Sequence, residues 1–470
     1  MATTPAAGTS QGTGGGTGGG AGGARASAAG TGRRRQDEVY RAGVYGRRPA
    51  VPTTYRTLAA AARRRLSRRA HAYVAGSAGD EATARADRAA FDRWQVVPRV
   101  LRDVSARDTS VELFGRRLPA PVLLGPVGAL ELVHPEADLA VARAAAATGL
   151  PMVFSNQASV PMETTAAAMG TAPHWAQLYW STSDALVESL LGRAEASGCE
   201  AVVVTLDTTM LGWRPRDLDR GHLPFALGKG IAQYLSDPVF RGLVEQRAAA
   251  AEPRDPQPRP NPAALRALVG MARSWSRHAG GSLPDALRSP LPRAAVETFL
   301  AIYSRPSITW TDLAWLRART RLPIVLEGVL HPDDARRAAD EGVDGLVVST
   351  HGGRQVDRSV AGAGRAARRR RRRRRAAPGA AGQRGAQRRR RAGGRGARGP
   401  GGAAGPAVRL RPGAGRCGGG AAGAGGRRRG VRPDPGADRA HRRRPAGARR
   451  AAPGAVSGGP TAGRGTPVCS

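Results

Sequence analysis

Short apolar runs that alternate with segments of helical period leave a chain few folds to choose from. In this 470-residue sequence the runs fall at 121–126, 152–155, 175–179, 201–206, 323–326 and 344–349. Between them, apolar residues recur at helical spacing near 136–148, 161–169, 182–197, 311–320 and 332–341. Strands apolar on both faces, each followed by a helix, are the pattern of βα units around a parallel sheet. The fold class expected is therefore α/β, with about six βα units recognisable where a complete (β/α)8 TIM barrel has eight. Ahead of the first run, Leu58, Ala61, Ala62 and Leu66 repeat at helical spacing and Gly76 and Gly79 interrupt, which predicts an N-terminal helical cap.

In such barrels the chemistry sits at the C-terminal ends of the strands, and each run here closes on polar residues. The last run delivers His351 and Arg354 into a turn containing Gly352 and Gly353. A histidine can take a proton near neutral pH, and an arginine fork can hold a carboxylate in a fixed pose. The pair suits chemistry on a hydroxy acid, although a histidine after a strand also reads as a satisfied structural residue. Ser155 follows the second run, Gln177 and Tyr179 the third, Thr205 and Asp207 the fourth, and Arg214 the loop beyond. The first run ends in a small-residue turn, Val127, Gly128 and Ala129. Tyr73, at a helix end of the cap, reads equally as a capping residue or a binding group.

The segment Ser-Thr-His-Gly-Gly-Arg-Gln at 349–355 resembles the signature of the FMN-dependent 2-hydroxy-acid oxidising enzymes (glycolate oxidase, lactate oxidase, lactate 2-monooxygenase), which usually have Asn where this chain has Thr350. The other strand-end residues match that family in order. The resemblance implies FMN as cofactor, with Val127, Gly128 and Ala129 beneath the flavin and Ser155, Gln177 and Thr205 hydrogen-bonded to its isoalloxazine. It implies Tyr73, Arg214 and Arg354 on the substrate carboxylate and Tyr179 at the hydroxyl. His351 would be the base, oriented by Asp207, while the α-hydrogen goes to flavin N5 as carbanion or hydride and O2 reoxidises the flavin. The substrate expected is a small L-2-hydroxy acid, L-lactate first, in an oxidase or monooxygenase reaction. The segment 208–304 is far longer than an ordinary βα loop and reads as a lid or oligomer arm. Its 223–225 and 230–234 stretches look like the lactate 2-monooxygenase branch, and the family implies a homo-oligomer, tetramer or octamer.

Two features depart from the family. Glu327 stands where the family has a lysine beside the flavin N1 and C2 carbonyl. After residue 360 the pattern is lost: eight arginines run from Arg368 to Arg375, and 361–470 contains no Ile, no Phe, Trp or Tyr, and one leucine, Leu410. Such a segment cannot bury enough apolar area to offset chain entropy, so 361–470 is expected to be a disordered tail. The formal charge of +38 is concentrated there, with 30 arginines against Asp434 and Asp438. Codon arithmetic permits reading the tail as the product of a one-nucleotide frameshift near 361–362, natural or a sequencing error. Written CCC GGT GCT GCT GGA CAG CGG, residues 378–384 read one nucleotide later give Pro-Val-Leu-Leu-Asp-Ser-Gly. Residues 402–412 shifted the same way permit Val-Leu-Leu-Gly-Arg-Pro-Tyr-Val-Tyr-Gly. These match the family's seventh and eighth strands, which hold the FMN phosphate.

Residues 1–38, rich in Gly, Ala and Thr, are expected to form a flexible leader without the apolar core of a secretory signal. Three scattered cysteines form no disulfide framework or metal site, and no run is long enough to span a membrane. A cytoplasmic enzyme occupying 39–360 fits these features. The rival reading is a catalytically impaired or vestigial chain whose basic tail binds nucleic acid non-specifically.

Overall fold

The computed structural model describes residues 31–250, 261–363 and 408–410. The chain divides into two units, Met1–Pro412 and Gly413–Ser470, and every described residue lies in the first. Thr31–Val44, whose first part falls in the leader expected over 1–38, is a helix, and residues 1–30 lie outside the described residues. Arg33 pairs with Asp37 and Arg35 with Glu38 one turn apart, and no proline interrupts the segment.

A hairpin of β1 (Val111–Leu113) and β2 (Arg116–Leu118) precedes the main sheet. Its two-residue loop places both Phe114 and Gly115 at positive φ, 50° and 76°, which matches the twist of a tight hairpin. The main sheet contains β3 (Met152–Phe154), β4 (His174–Leu178), β5 (Val202–Thr205), β6 (Ile324–Glu327), β7 (Gly345–Val347) and β8 (Val408–Leu410) in that order. From β3 to β7 each strand pairs parallel with the next. The run at 121–126 joins the other edge through one parallel bridge, Leu124 to Met152. The five helices predicted between runs are present as Ala137–Thr148, Met162–Met169, Asp184–Ala196, Asp312–Arg317 and Pro332–Asp340.

Among the described residues the sheet remains open. The sequence reading places no strand after residue 360, yet β8 lies antiparallel to β7. Val408 and Leu410 are the most closely spaced aliphatic pair of the tail, and the free edge of β7 offers backbone groups that need partners. Residues 364–407 and 411–470 of the segment expected to be a disordered tail lie outside the described residues.

Side chains alternate across the sheet with period two. Phe154, Leu178, Val204, Leu326 and Leu346 pack outward against the helices. Val153, Trp175, Val203, Val325 and Val347 point inward and meet Leu113 and Leu118 of the hairpin, which closes the N-terminal end. Two residues beyond Trp175, Val203 and Val325 on the same inward face come Gln177, Thr205 and Glu327. A polar layer therefore sits on an apolar one.

The insert, expected to be a lid or an oligomer arm, forms a packed helical layer over its described residues. Helices Pro238–Ala249, Pro262–His278 and Leu291–Ile302 enclose Phe225, Tyr234, Phe240 and Phe299, all buried, with Tyr234 and Phe299 in an edge contact at 4.8 Å. Aromatic pairs of this geometry add to the energy of burial, and Asp237 anchors the insert by accepting from Ser189 and Arg193 of Asp184–Ala196. The tip at 251–260 lies outside the described residues.

The cap helices Arg68–Ala75 and Ala82–Asp92 dock on the turn after β7, and Tyr55–Arg65 meets Ala82–Asp92 through the Arg88 guanidinium over the Tyr55 ring. Ala78 N–H donates to Gly353 O (2.9 Å), the Ser77 hydroxyl to Gly352 O (3.0 Å), and Asp357 accepts from the N–H groups of Asp80 and Thr83. The approach requires glycine at 353. Its φ is +72°, and a Cβ there would lie 2.7 Å from the backbone nitrogen of Ala84. We expect Gly353→Ala to cost at least about 1–3 kcal/mol and to loosen the cap first, seen as faster proteolysis between 76 and 92 at a temperature where the core still resists. Unchanged melting and cleavage would contradict this close packing.

Candidate active site

Four successive strand ends are joined by hydrogen bonds. Ser155 Oγ donates to Gln177 Oε1 (3.3 Å), Gln177 Nε2 donates to Thr205 Oγ1 (2.9 Å), and the Thr205 hydroxyl donates to Glu327 Oε2 (2.7 Å). All four residues are buried. At the mouth of this row the turn 127–129 is fixed by Ala129 N–H donating to Gln157 O (2.9 Å). Val127 is exposed there, Gly128 lies against Gln157, and Ala129 is buried at φ +53°.

Burial raises Glu327 above its ordinary carboxylate range, and the nearby Asp207 carboxylate pushes in the same direction against the Thr205 hydrogen bond. The folded state thus holds that proton more tightly than the unfolded chain. The resulting stability is fully present below the ordinary value of 4.5 and is lost as pH rises through the raised value. Wild type should therefore lose melting temperature relative to Glu327→Gln as pH is taken from about 5 to about 8; a pH-independent difference between the two would rule this out.

The turn after β7 places His351 at φ +55°, where its own N–H donates to Ser349 Oγ (2.9 Å). Its Nδ1 lies 2.9 Å from Asp207 Oδ1. A carboxylate there accepts the Nδ1 proton and leaves Nε2 as the free acceptor. Thr208 donates to the same Asp207 oxygen (2.9 Å), while Asp207 Oδ2 is buried with no hydrogen-bond partner among the described residues. Gly328 makes room for this aspartate, since a Cβ at 328 would come within 2.8 Å of the Asp207 Cβ.

Two guanidiniums lie over the Tyr73 ring, with Arg354 Cζ 4.8 Å and Arg214 Cζ 5.4 Å from its centroid. Such stacking over an aromatic face favours a cation. Arg354 Nη1 also donates to Tyr73 O and Gly76 O, both at 2.6 Å, which ties the turn after β7 to the cap. Arg214 makes an ion pair with Asp217 at 3.3 Å. Burial lowers Arg354 from its ordinary value, and the neighbouring Arg214 charge adds to that shift. Two guanidiniums thus share one close carboxylate, and an anion brought between them would relieve both. Burial, followed by the Glu327 and Asp207 charges, pushes the Tyr179 hydroxyl well up, so it is a neutral donor.

The sequence reading named Tyr73, Tyr179, Asp207, Arg214, His351 and Arg354 for one pocket, and the structure brings the charged members together through the contacts above. It did not name Thr208, Asp217, Gln355 or Asp87. Asp217 had a visible signal, three residues after Arg214 at the spacing of one helical turn. Gln355 also carried one: it belongs to the motif itself, and its Nε2 donates to Met210 O (2.9 Å). Asp87 had none, because its contact with the Thr350 hydroxyl crosses more than 260 positions of chain.

The donor set of the buried row suits the edge of a flavin ring, which alternates N–H and carbonyl groups. Two further strand ends would complete an eight-stranded barrel, and it is there that such barrels commonly hold phosphate; they are not among the described residues. The fit is thus to the ring and not to the whole cofactor.

The family model described as FMN-dependent dehydrogenase matches residues 62–367. An FMN-dependent alpha-hydroxy acid dehydrogenase of Penicillium citrinum is 38% identical over 326 residues, covering 69% of this chain and 72% of that protein. An L-lactate oxidase of Lysinibacillus sphaericus is 38% identical over 285 residues, covering 61% of this chain and 63% of its own length. A crystal structure of mandelate oxidase aligns with a TM-score of 0.48 at 33% identity, covering 66% of this chain and 73% of that one.

Proposed function

The chain belongs to the FMN-dependent dehydrogenase family, and from that premise we propose that it oxidises a small L-2-hydroxy acid, with L-lactate as the first candidate. The observation that carries the reading is the buried Arg214–Tyr73–Arg354 stack beside the Asp207–His351 pair. Arg214 and Arg354 hold the substrate carboxylate, assisted by the Tyr73 hydroxyl, and Tyr179 donates to the substrate hydroxyl. His351 Nε2 then removes a proton from the substrate, and the Asp207 carboxylate at Nδ1 stabilises the imidazolium that results. FMN, when bound, supplies the two-electron acceptor. Ser155, Gln177, Thr205 and the turn Val127, Gly128, Ala129 would hold its ring.

Glu327 faces the same place and, whether ionised or protonated, supplies no cation for a ring that gains electrons. A cation there would stabilise the reduced form, and fixed charges of this kind are commonly worth about 3 kcal/mol. We expect Glu327→Lys to speed anaerobic reduction in stopped flow. An equal or slower rate would remove Glu327 from this role.

The substrate is tested by steady-state turnover in excess FMN with L-lactate, glycolate and (S)-mandelate. The proposal expects the highest kcat/KM with L-lactate. Pyruvate plus peroxide would identify an oxidase, and acetate plus carbon dioxide a monooxygenase. A preference for mandelate would overturn the choice of lactate while leaving the hydroxy-acid reading in place.

A further inference from the structure

Arg214 and Arg354 lie over one aromatic ring and repel each other, so each guanidinium needs an anchor that leaves it atoms for a carboxylate. For Arg354 the anchor is backbone: its Nη1 is committed to Tyr73 O and Gly76 O. Arg214 has no such tie. Among the described residues its close partner is Asp217, whose Oδ2 lies 3.3 Å from Nε, and neither Nη makes a hydrogen bond.

Asp217 is 6% exposed, and neither of its carboxylate oxygens has a hydrogen-bond partner among the described residues. A buried carboxylate in that condition is costly unless cations face it. Arg214 faces it at Nε. Arg354 senses it as well: burial and then the Arg214 charge lower that guanidinium, and Asp217 is among the groups that oppose the shift. Burial and then Arg69 lower His222, five residues on, so it stays neutral and supplies no competing cation.

The main chain, not the carboxylate oxygens, fixes this residue. The N–H groups of Asp217 and Leu218 both donate to Arg214 O (3.0 Å each) in the single helical turn Pro215–Leu218. The cap braces that turn from outside. Arg216 pairs with Glu81 at 2.5 Å, and Gly79 N–H donates to Trp213 O (3.0 Å). Glu81 holds its place at φ +60°, a conformation that persists in a non-glycine residue only where the surroundings enforce it.

We propose that Asp217 is a positioning residue: by taking the Nε edge of Arg214 it leaves both Nη groups for the substrate carboxylate and holds the two guanidiniums together. The inference rests on the hydroxy-acid reading above and adds the group that sets the geometry of the clamp. A carboxylate that merely neutralised charge would compete with the substrate, whereas one that fixes the fork assists it. The two roles have opposite signs.

The test is titration calorimetry of the full-length protein in excess FMN with pyruvate, the carboxylate product of lactate oxidation, and with pyruvamide, its neutral analogue. Wild type should prefer pyruvate. Asp217→Asn should weaken pyruvate at least about tenfold, as for loss of one member of a buried charge pair, and leave pyruvamide nearly unchanged. In turnover its KM for L-lactate should rise more than kcat falls, and Asp217→Glu should recover part of the loss. Unchanged or tighter pyruvate binding in Asp217→Asn would overturn the proposal, and so would an equal loss of pyruvate and pyruvamide. Should Asp217→Asn fail to fold, Arg216→Gln decides, since it loosens the brace at a partly exposed position and keeps the Asp217 charge: weaker pyruvate binding supports the role and unchanged binding overturns it. A wild type that binds both compounds alike, or neither, would overturn the arginine clamp itself.

Discussion

His351→Asn should lower the rate at which L-lactate reduces enzyme-bound FMN by about 10²- to 10⁴-fold, the usual contribution of a positioned general base. Asparagine retains roughly the size of the side chain and can still meet Asp207 Oδ1, which is 2.9 Å from the histidine Nδ1 in wild type. It cannot accept a proton. The loss should therefore fall on the reduction step while FMN affinity and melting temperature stay near wild type. Rapid-mixing absorbance under anaerobic conditions measures the step directly. A change of less than about tenfold would mean that another group is the base, since a positioned base rarely contributes so little.

Arg354→Met should produce the second large effect, and a different one. This side chain stacks on Tyr73 at 4.8 Å and donates to Tyr73 O and Gly76 O, so its loss removes a carboxylate partner and a tie between turn and cap together. Truncating one member of a buried charge-assisted contact costs about 2–5 kcal/mol, and that loss should appear mainly as a raised KM for the hydroxy acid. Melting should also begin at a lower temperature because the cap is less firmly held. Arg354→Lys should recover little, since an ammonium cannot span the two carbonyls and a substrate carboxylate as a planar fork does. Full activity in the lysine variant would refute the bidentate role.

The strand-end residues were legible because βα periodicity fixes them: once 175–179, 201–206 and 323–326 are strands, Gln177, Thr205 and Glu327 must share an inward face. The helices between strands were legible for the same reason. What escaped the sequence depends on contacts between distant segments. The helix at 31–44 overrides a glycine-rich context through ion pairs a turn apart. The insert 208–304 carries Pro and Arg at frequencies that suggest a loop, yet a few aromatic residues, above all Tyr234, Phe240 and Phe299, suffice to give it a buried core. Asp87 and Asp357 pin the cap to the catalytic turn without any local pattern, because their partners are created only by the fold.

The central claim is that residues of the described part of the chain assemble a site that oxidises a 2-hydroxy acid with FMN. It is tested most directly by adding L-lactate anaerobically to the full-length protein in the presence of FMN and following flavin absorbance. The account predicts bleaching of the bound flavin with one pyruvate formed per flavin, slowed in His351→Asn. A protein that binds FMN and L-lactate yet leaves the flavin oxidised over hours would contradict it.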